Sequence, residues 1–262
     1  MKIQQIRNAT LKINYAGKIF LVDPWLIDGQ KFGRFVDIPG KPFHTPDPVR
    51  EQIPMPIFDL PVPVEEILCG VDFYIITHLH PDHVDISIDG TIGAPLDKNT
   101  PVFAQNSEDA VALKNSGFKE VNVLSENVLG DIKLIKTPAR HGTIEPLGEA
   151  CGIIFQASNE KTLYLAGDTV WFEGVQNSLK KFHPDIVIVN ACAAELIKNG
   201  RLIMNDEDID CIAQNLPTAQ IIVSHMDNVP HATITRHDIR GLLTKRGIKN
   251  YFIPNDGEIL EF

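Results

Sequence analysis

The stretch Phe73-Tyr74-Ile75-Ile76-Thr77-His78-Leu79-His80-Pro81-Asp82-His83-Val84-Asp85 places three imidazoles and two carboxylates directly behind a run of apolar residues. In an extended chain, residues two apart face the same side, so His78 and His80 can point at one centre if strand geometry continues past Thr77. Pro81 then ends the ladder and turns the chain. The turn lets Asp82 and His83 address a second point nearby, the layout of a two-metal site with ions roughly 3.5–4 Å apart. The competing reading is a group of surface histidines or an adventitious metal-binding tract. A buried-looking strand ahead of the tract and a proline that fixes its spacing favour the metal site, which the structural context must confirm.

The rest of the chain is long enough to carry such a site on a substantial core. It has 262 residues, 44% hydrophobic and 22% charged, with mean hydropathy −0.04. This is ordinary globular composition, and it favours one large domain over two. The net charge of −10 argues against nucleic acid or an anionic membrane as partner, since both rely on clustered Lys and Arg. The N-terminal residues alternate like a strand and lack the basic and apolar regions of a signal peptide, and no run reaches membrane-spanning length. Cys69, Cys151, Cys192 and Cys211 are scattered without a CxxC pair, as expected of reduced thiols in a cytoplasmic protein. A homo-oligomer is left open.

Lys2–Arg7, Thr10–Tyr15 and Lys18–Val22 read as strands, the last two joined by a tight turn at Ala16-Gly17. Between Asp28 and Pro63 eight prolines fall among Phe32, Phe35, Phe43, Met55, Ile57 and Phe58. No regular element is expected there, and the apolar residues mark the segment, about 28–63, as a pocket wall or lid rather than padding. A short helix is expected at Val64–Cys69, then the Asp72–Thr77 strand. Beyond the histidine tract come a strand at 102–104, a helix capped by Ser107 and stopped at Gly117, and strands at Val121–Leu124 and Ile132–Lys136. The second half repeats the logic. Strands are expected at 152–156, 163–166, 185–189 and 219–223, and helices near 171–182, 205–215 and 235–245, with terminal strands around Tyr251 and Ile259. Two strand-rich halves, each followed by helices, predict two packed sheets with helices outside.

Six apolar runs end in a polar residue: Phe20–Val22 in Asp23, Phe73–Ile76 at His78, Ile132–Ile135 towards His141, Leu163–Leu165 at Asp168, Ile186–Val189 in Asn190, and Ile221–Val223 at His225. Strand ends are where scaffolds display chemistry, so these residues can converge on one edge. Taken singly, His141, Asp168 and His225 are weak signals, because Gly-Asp and Ser-His turns are common.

Together they resemble the metallo-β-lactamase superfamily: His-x-His-x-Asp-His, a distant His, a Gly-Asp and a further His, in order along nearly the whole chain. The Leu-Val-Asp-Pro-Trp and Gly-Asp-Thr-Val-Trp stretches look most like its L-ascorbate-6-phosphate lactonase-like hydrolases. The resemblance implies a single domain over 1–262 with the α/β, four-layer αββα sandwich: two mixed sheets with helices on the outer faces. It implies that His78, His80 and His141 hold a first metal, that Asp82, His83 and His225 hold a second, and that Asp168 bridges.

Such N/O ligands suit Zn²⁺ first, with Mn²⁺ or Fe²⁺ also acceptable. Two cations sharing a water lower its pKa towards roughly 7, so a bridging hydroxide is the expected nucleophile. A small, perhaps anionic, lactone or ester is the leading substrate class. A small or lipid phosphodiester is the alternative, and a metal-stabilised binding or regulatory domain is the non-enzymatic one. Asp82 and His231 are the candidate catalytic residues, His231 as general acid or substrate contact. Asp23, and with weaker claims Asp85 and Asp227, are candidates to orient a ligand histidine. Trp25 and Trp171 are candidate pocket walls. Arg140 and Arg236 are candidates for an anionic substrate group, and Cys192 approaches the same edge without a neighbouring base.

Overall fold

Val22, at the end of the third strand, pairs in parallel with Ile75 of the strand that leads into the histidine tract. That pairing joins an N-terminal antiparallel meander to a parallel array in one sheet. The computed structural model describes residues 1–262. Its strands are β1 (Lys2–Arg7), β2 (Thr10–Tyr15), β3 (Lys18–Val22), β4 (Phe73–Ile76), β5 (Val102–Ala104), β6 (Val121–Val123), β7 (Glu126–Leu129) and β8 (Ile132–Pro138). They continue as β9 (Cys151–Gln156), β10 (Leu163–Leu165), β11 (Ile186–Asn190), β12 (Glu195–Leu196), β13 (Gly200–Arg201), β14 (Gln220–Ser224), β15 (Tyr251–Phe252) and β16 (Ile259–Glu261). The helices are α1 (Val64–Leu68), α2 (Ser107–Asn115), α3 (Glu173–Phe182), α4 (Asp206–Asn215) and α5 (Arg236–Lys245).

The first sheet runs β16-β1-β2-β3-β4-β5-β6 and the second β15-β14-β11-β10-β9-β8-β7. Each is half antiparallel and half parallel. Alternation along the strands decides which side chains meet. Ile13, Phe20, Val22, Ile75 and Phe103 of the first sheet pack against Leu134, Ile153, Phe155, Leu165 and Ile188 of the second. The outward side chains of the first sheet pack with α1 and α2, through Ile67, Ala110 and Leu113. Those of the second pack with α3, α4 and α5, through Leu179, Ile212 and Ile239. The expected four layers are therefore present.

Several boundaries differ from the sequence reading for local reasons. The cap of α2 is Asn106, whose side chain accepts from Asp109 N–H, and not Ser107. The α3 helix starts at Glu173 rather than near Trp171, after the extended Phe172. Strand β7 and the short β12–β13 hairpin carry no alternation that separates them from loop. The proline-rich segment holds two single 3₁₀ turns, Phe35–Asp37 and Arg50–Gln52, and a lone bridge between Gly33 and Met55. Both of its ends are tied to Arg7, whose guanidinium donates to the carbonyls of Ile27 (2.7 Å) and Phe58 (3.1 Å).

Candidate metal centre

The six strand ends converge. β4 delivers His78, and the following Thr77–Val84 turn closes through His83 N–H and Val84 N–H on the His80 carbonyl. β8 leads to His141, β10 to Asp168 and β14 to His225. Three interlocking groups of donor atoms result, each with all members within 4.8 Å: His78, His80 and His141; His78, His83 and Asp168; and Asp82, His83 and His225. One oxygen, Asp168 Oδ2, lies 3.8 Å from His78 Nε2, 3.2 Å from His83 Nε2, 3.7 Å from His141 Nε2 and 4.0 Å from His225 Nε2. It thus stands between the first and last groups. His225 Nε2 lies 3.4 Å from Asp82 Oδ2 and 3.2 Å from His83 Nε2, while His141 Nε2 lies 3.3 Å from His80 Nδ1.

A second layer holds these atoms in place. Asp23 accepts from Thr77 N–H (2.7 Å) and Thr77 Oγ1–H (2.7 Å), and it lies 2.9 Å from His83 Nδ1. His141 Nδ1 faces the Leu202 carbonyl at 3.1 Å, and Asn190 Nδ2 donates to Asp168 Oδ1 at 2.7 Å. Asn8 was not legible as a functional residue. It lies in the β1–β2 turn with φ 52°, donates through Nδ2 to the Asp82 carbonyl at 2.9 Å, and accepts His225 N–H on its own carbonyl at 3.0 Å. An Asn between two strands signals a left-handed turn, but nothing in the sequence points that turn at His225.

The charge balance of the cluster fits divalent cations. Asp82 and Asp168 are buried, and their charged neighbours within ion-pair distance are imidazoles. Burial and neighbouring imidazoles push His78 well below its ordinary value, and burial pushes His80 down to about 4. For Asp168, burial opposes ionisation, but the charges of His83 and His225 outweigh it and hold the carboxyl well below the usual range. His83 is opposed by burial too, yet Asp168 and Asp23 raise it to about 10. His78 Nε2 is buried with no hydrogen-bond partner. A ring nitrogen so placed, facing a carboxylate and further imidazoles, has the chemistry of a metal-ligand atom.

The other candidates separate clearly. His231 is buried at the pocket, its ring tilted 39° to that of Phe35 with centroids 5.3 Å apart, and its Nδ1 has no partner. Arg140 is spent on the carbonyls of Gly142 and Thr143, and Arg236 on Asp227 and Asp256, so neither presents a charge to the centre. Asp85 accepts from Leu26 N–H and Ile27 N–H, and Asp227 pairs with Arg236; neither orients a ligand histidine. Trp25 lies in the core over Arg7, and Trp171 packs against the core beside α4. The narrow recess above the cluster, about 40 Å³, is walled by Phe35, Phe43, Met55, Leu147, Leu196 and Leu202 over His80, Asp82, His141, Asp168 and His231.

An αββα sandwich that gathers histidines and aspartates at one edge in this way defines a metal-dependent hydrolase of the metallo-β-lactamase fold. The chain belongs to the β-lactamase superfamily domain family, which it matches over residues 20–226. It is 38% identical to the UPF0173 protein YddR of Bacillus subtilis, with both chains covered in full. Its backbone matches an isothiocyanate hydrolase from Delia radicum gut bacteria with TM-score 0.88 and 36% identity, covering 100% of this chain and 99% of that one. A possible metal-dependent hydrolase from Veillonella parvula matches with TM-score 0.88 and 32% identity, covering 99% and 98%. The centre accordingly serves a divalent metal and a small-molecule substrate. No helix is long and apolar enough to cross a membrane.

Proposed function

We propose that the protein is a dinuclear hydrolase of a small, uncharged electrophile: a lactone- or ester-type carbonyl, or the N=C=S carbon of an isothiocyanate. His78, His80 and His141 would hold one ion, Asp82, His83 and His225 the other, and Asp168 would bridge, with Zn²⁺ the first candidate. When bound, the ions supply Lewis acidity and lower the pKa of water to near 7, giving a nucleophile at neutral pH.

One observation carries the substrate class: the recess over the cluster is apolar on its walls and contains no Lys or Arg. An anionic substituent lying against these walls, away from the ions, would lose its hydration with no Lys or Arg to replace it. An uncharged substrate with an apolar substituent gains from the same walls. Arg140 and Arg236, engaged by carbonyls and carboxylates elsewhere, do not line this recess. The isothiocyanate hydrolase neighbour acts on an uncharged group of this kind, which supports the reading.

Burial pushes His231 down to about 4, so it is neutral at pH 7. A neutral imidazole facing the recess suits a hydrogen bond to the substrate heteroatom better than the role of a charged general acid. Asp82, which also lines the recess, would take a proton from the attacking water. Within one domain, the 28–63 segment serves as a pocket wall, contributing Phe35, Phe43 and Met55.

The test is turnover by metal-loaded protein of matched panels of lactones, esters, isothiocyanates and phosphodiesters, with ion stoichiometry measured in parallel. Turnover of uncharged substrates with apolar substituents is expected, and their carboxylate-bearing analogues should be poor. Phosphodiester hydrolysis alone would overturn the substrate class, and bound metal without any turnover would favour a binding domain.

A further inference from the structure

We propose that Cys192 is a positioning residue for His225, and that it sets how tightly the Asp82–His83–His225 group holds its cation. The inference rests on the dinuclear reading above. His78, His83 and His141 each turn Nδ1 towards an oxygen: Thr77 Oγ1 at 3.2 Å, Asp23 Oδ2 at 2.9 Å and the Leu202 carbonyl at 3.1 Å. His225 instead turns Nδ1 towards a sulfur, Cys192 Sγ at 3.7 Å. With Nε2 as the ligand atom of the dinuclear reading, beside Asp82 and His83, the ring would carry its proton on Nδ1 and donate it to that sulfur.

A carboxylate or carbonyl that accepts the second N–H of a ligand imidazole both fixes the ring and strengthens it as a donor. A thiol sulfur is a weak acceptor. It fixes the ring while adding little to its basicity, so among the four imidazoles whose Nδ1 meets an oxygen or sulfur the His225 arm is the least reinforced.

The other polar neighbours of the ring, Asp82, His83 and Asn8 Nδ2 at 3.3 Å, all lie on its Nε2 side, and Cys192 is its polar neighbour at Nδ1. The His225 backbone is held at φ 62°, with its N–H on the Asn8 carbonyl at 3.0 Å, and Ser224 Oγ on the same carbonyl at 3.1 Å. Its Cα therefore cannot shift to correct a rotated ring. Cys192 is equally fixed: it is fully buried, and its carbonyl accepts from Thr233 N–H (3.0 Å) and Ile234 N–H (3.1 Å). It is absent from the walls of the recess, so it acts through His225 and not on substrate. The plain alternative is a small core residue next to a histidine, whose loss would change stability but not the behaviour of one ion.

The experiment loads wild-type protein, Cys192→Ala and Cys192→Ser with Zn²⁺ or Co²⁺. Ions per chain are counted during titration with a competing chelator, and the visible Co²⁺ spectrum is recorded. Wild type should hold two ions. In Cys192→Ala one of the two should be released at roughly 10–100-fold lower chelator strength, the other unchanged. Cys192→Ser keeps an acceptor at lower reach. It should retain both ions within about tenfold of wild type, shift the bands of one Co²⁺ only, and melt like wild type without metal. Cys69→Ser, at an exposed thiol, should change neither ion. Equal release of both ions in wild type and Cys192→Ala overturns the proposal. If the alanine variant does not fold, an unshifted Co²⁺ spectrum in Cys192→Ser overturns it instead. A single ion in wild type overturns the dinuclear reading and this inference with it.

Discussion

Asp23 Oδ2 lies 2.9 Å from His83 Nδ1, and both side chains are buried. The same carboxylate takes the N–H and hydroxyl of Thr77, whose Oγ1 is 3.2 Å from His78 Nδ1. One strand-end aspartate thus orients ligand candidates from both halves of the centre. Asp23→Ala should lower metal affinity about 10–100-fold, as loss of an imidazole's outer partner commonly does. It should also cost about 1–3 kcal/mol in the metal-free protein, because Thr77 N–H is left buried without an acceptor. Isothermal titration with Zn²⁺ and a denaturant melt of the stripped protein measure the two effects. Unchanged metal affinity would remove Asp23 from the centre.

Asp23 also shows why the site was more legible in sequence than its surroundings. Fold and ligand candidates follow from a repeated local pattern, an apolar strand ending in a polar residue, and period-two alternation makes each strand visible on its own. The support is non-local. Cys192, Asn8 and the Leu202 carbonyl reach the centre from loops whose sequences carry no metal-binding signal, and a backbone carbonyl carries none at any position. The partners of Arg140 and Arg236 were not legible for a related reason. A charge in a loop has no sequence mark for the acid or carbonyl that will engage it, and here Asp227, Asp256 and neighbouring carbonyls did so.

Phe35 connects the proline-rich wall to the chemistry through its tilted ring contact with His231. Phe35→Ala removes that face and opens the recess. It should cost about 3–5 kcal/mol of stability if the site does not collapse. The diagnostic effect is on selectivity: kcat/KM for small substrates should fall by roughly tenfold, about 1.4 kcal/mol, while bulkier apolar substrates lose less. Steady-state rates across a series of increasing substituent size test this. A uniform loss across the series would make Phe35 a core residue only.

Arg7 sets where that wall begins and ends. Its buried guanidinium donates to the carbonyls of Trp25 (3.0 Å), Ile27 (2.7 Å) and Phe58 (3.1 Å), closing the neck of the intervening segment. Burial pushes it down to about 10, so it remains charged at neutral pH. Arg7→Met fills much of the volume but leaves three carbonyls without a donor, an expected loss of about 3 kcal/mol or more. Limited proteolysis of native Arg7→Met should cut within residues 30–56 faster than wild type, with metal content retained. Equal cutting rates would place the neck's stability elsewhere.

The cysteines give a prediction that depends on pH. Cys69 is exposed, whereas Cys151 is buried on β9 with Sγ 3.6 Å from the Thr77 carbonyl. Burial pushes the Cys151 thiol from its ordinary value of 9.0 up to about 12. Because the thiolate is the reactive form, native protein at pH 9 should expose Cys69 to rapid alkylation and leave Cys151 unmodified. The sign for stability follows from the same shift. Below pH 9 the thiol is neutral in both folded and unfolded chains, and its titration contributes nothing. Between pH 9 and about 12 the unfolded chain loses the proton that the folded one keeps, so folding stability falls as pH rises. Cys151→Ala, which lacks the titrating group, should show a shallower decline of melting temperature over that window. Mass spectrometry of the alkylated native protein and melting curves above pH 9 check both points, and rapid labelling of Cys151 in the native state would contradict its place between the two sheets.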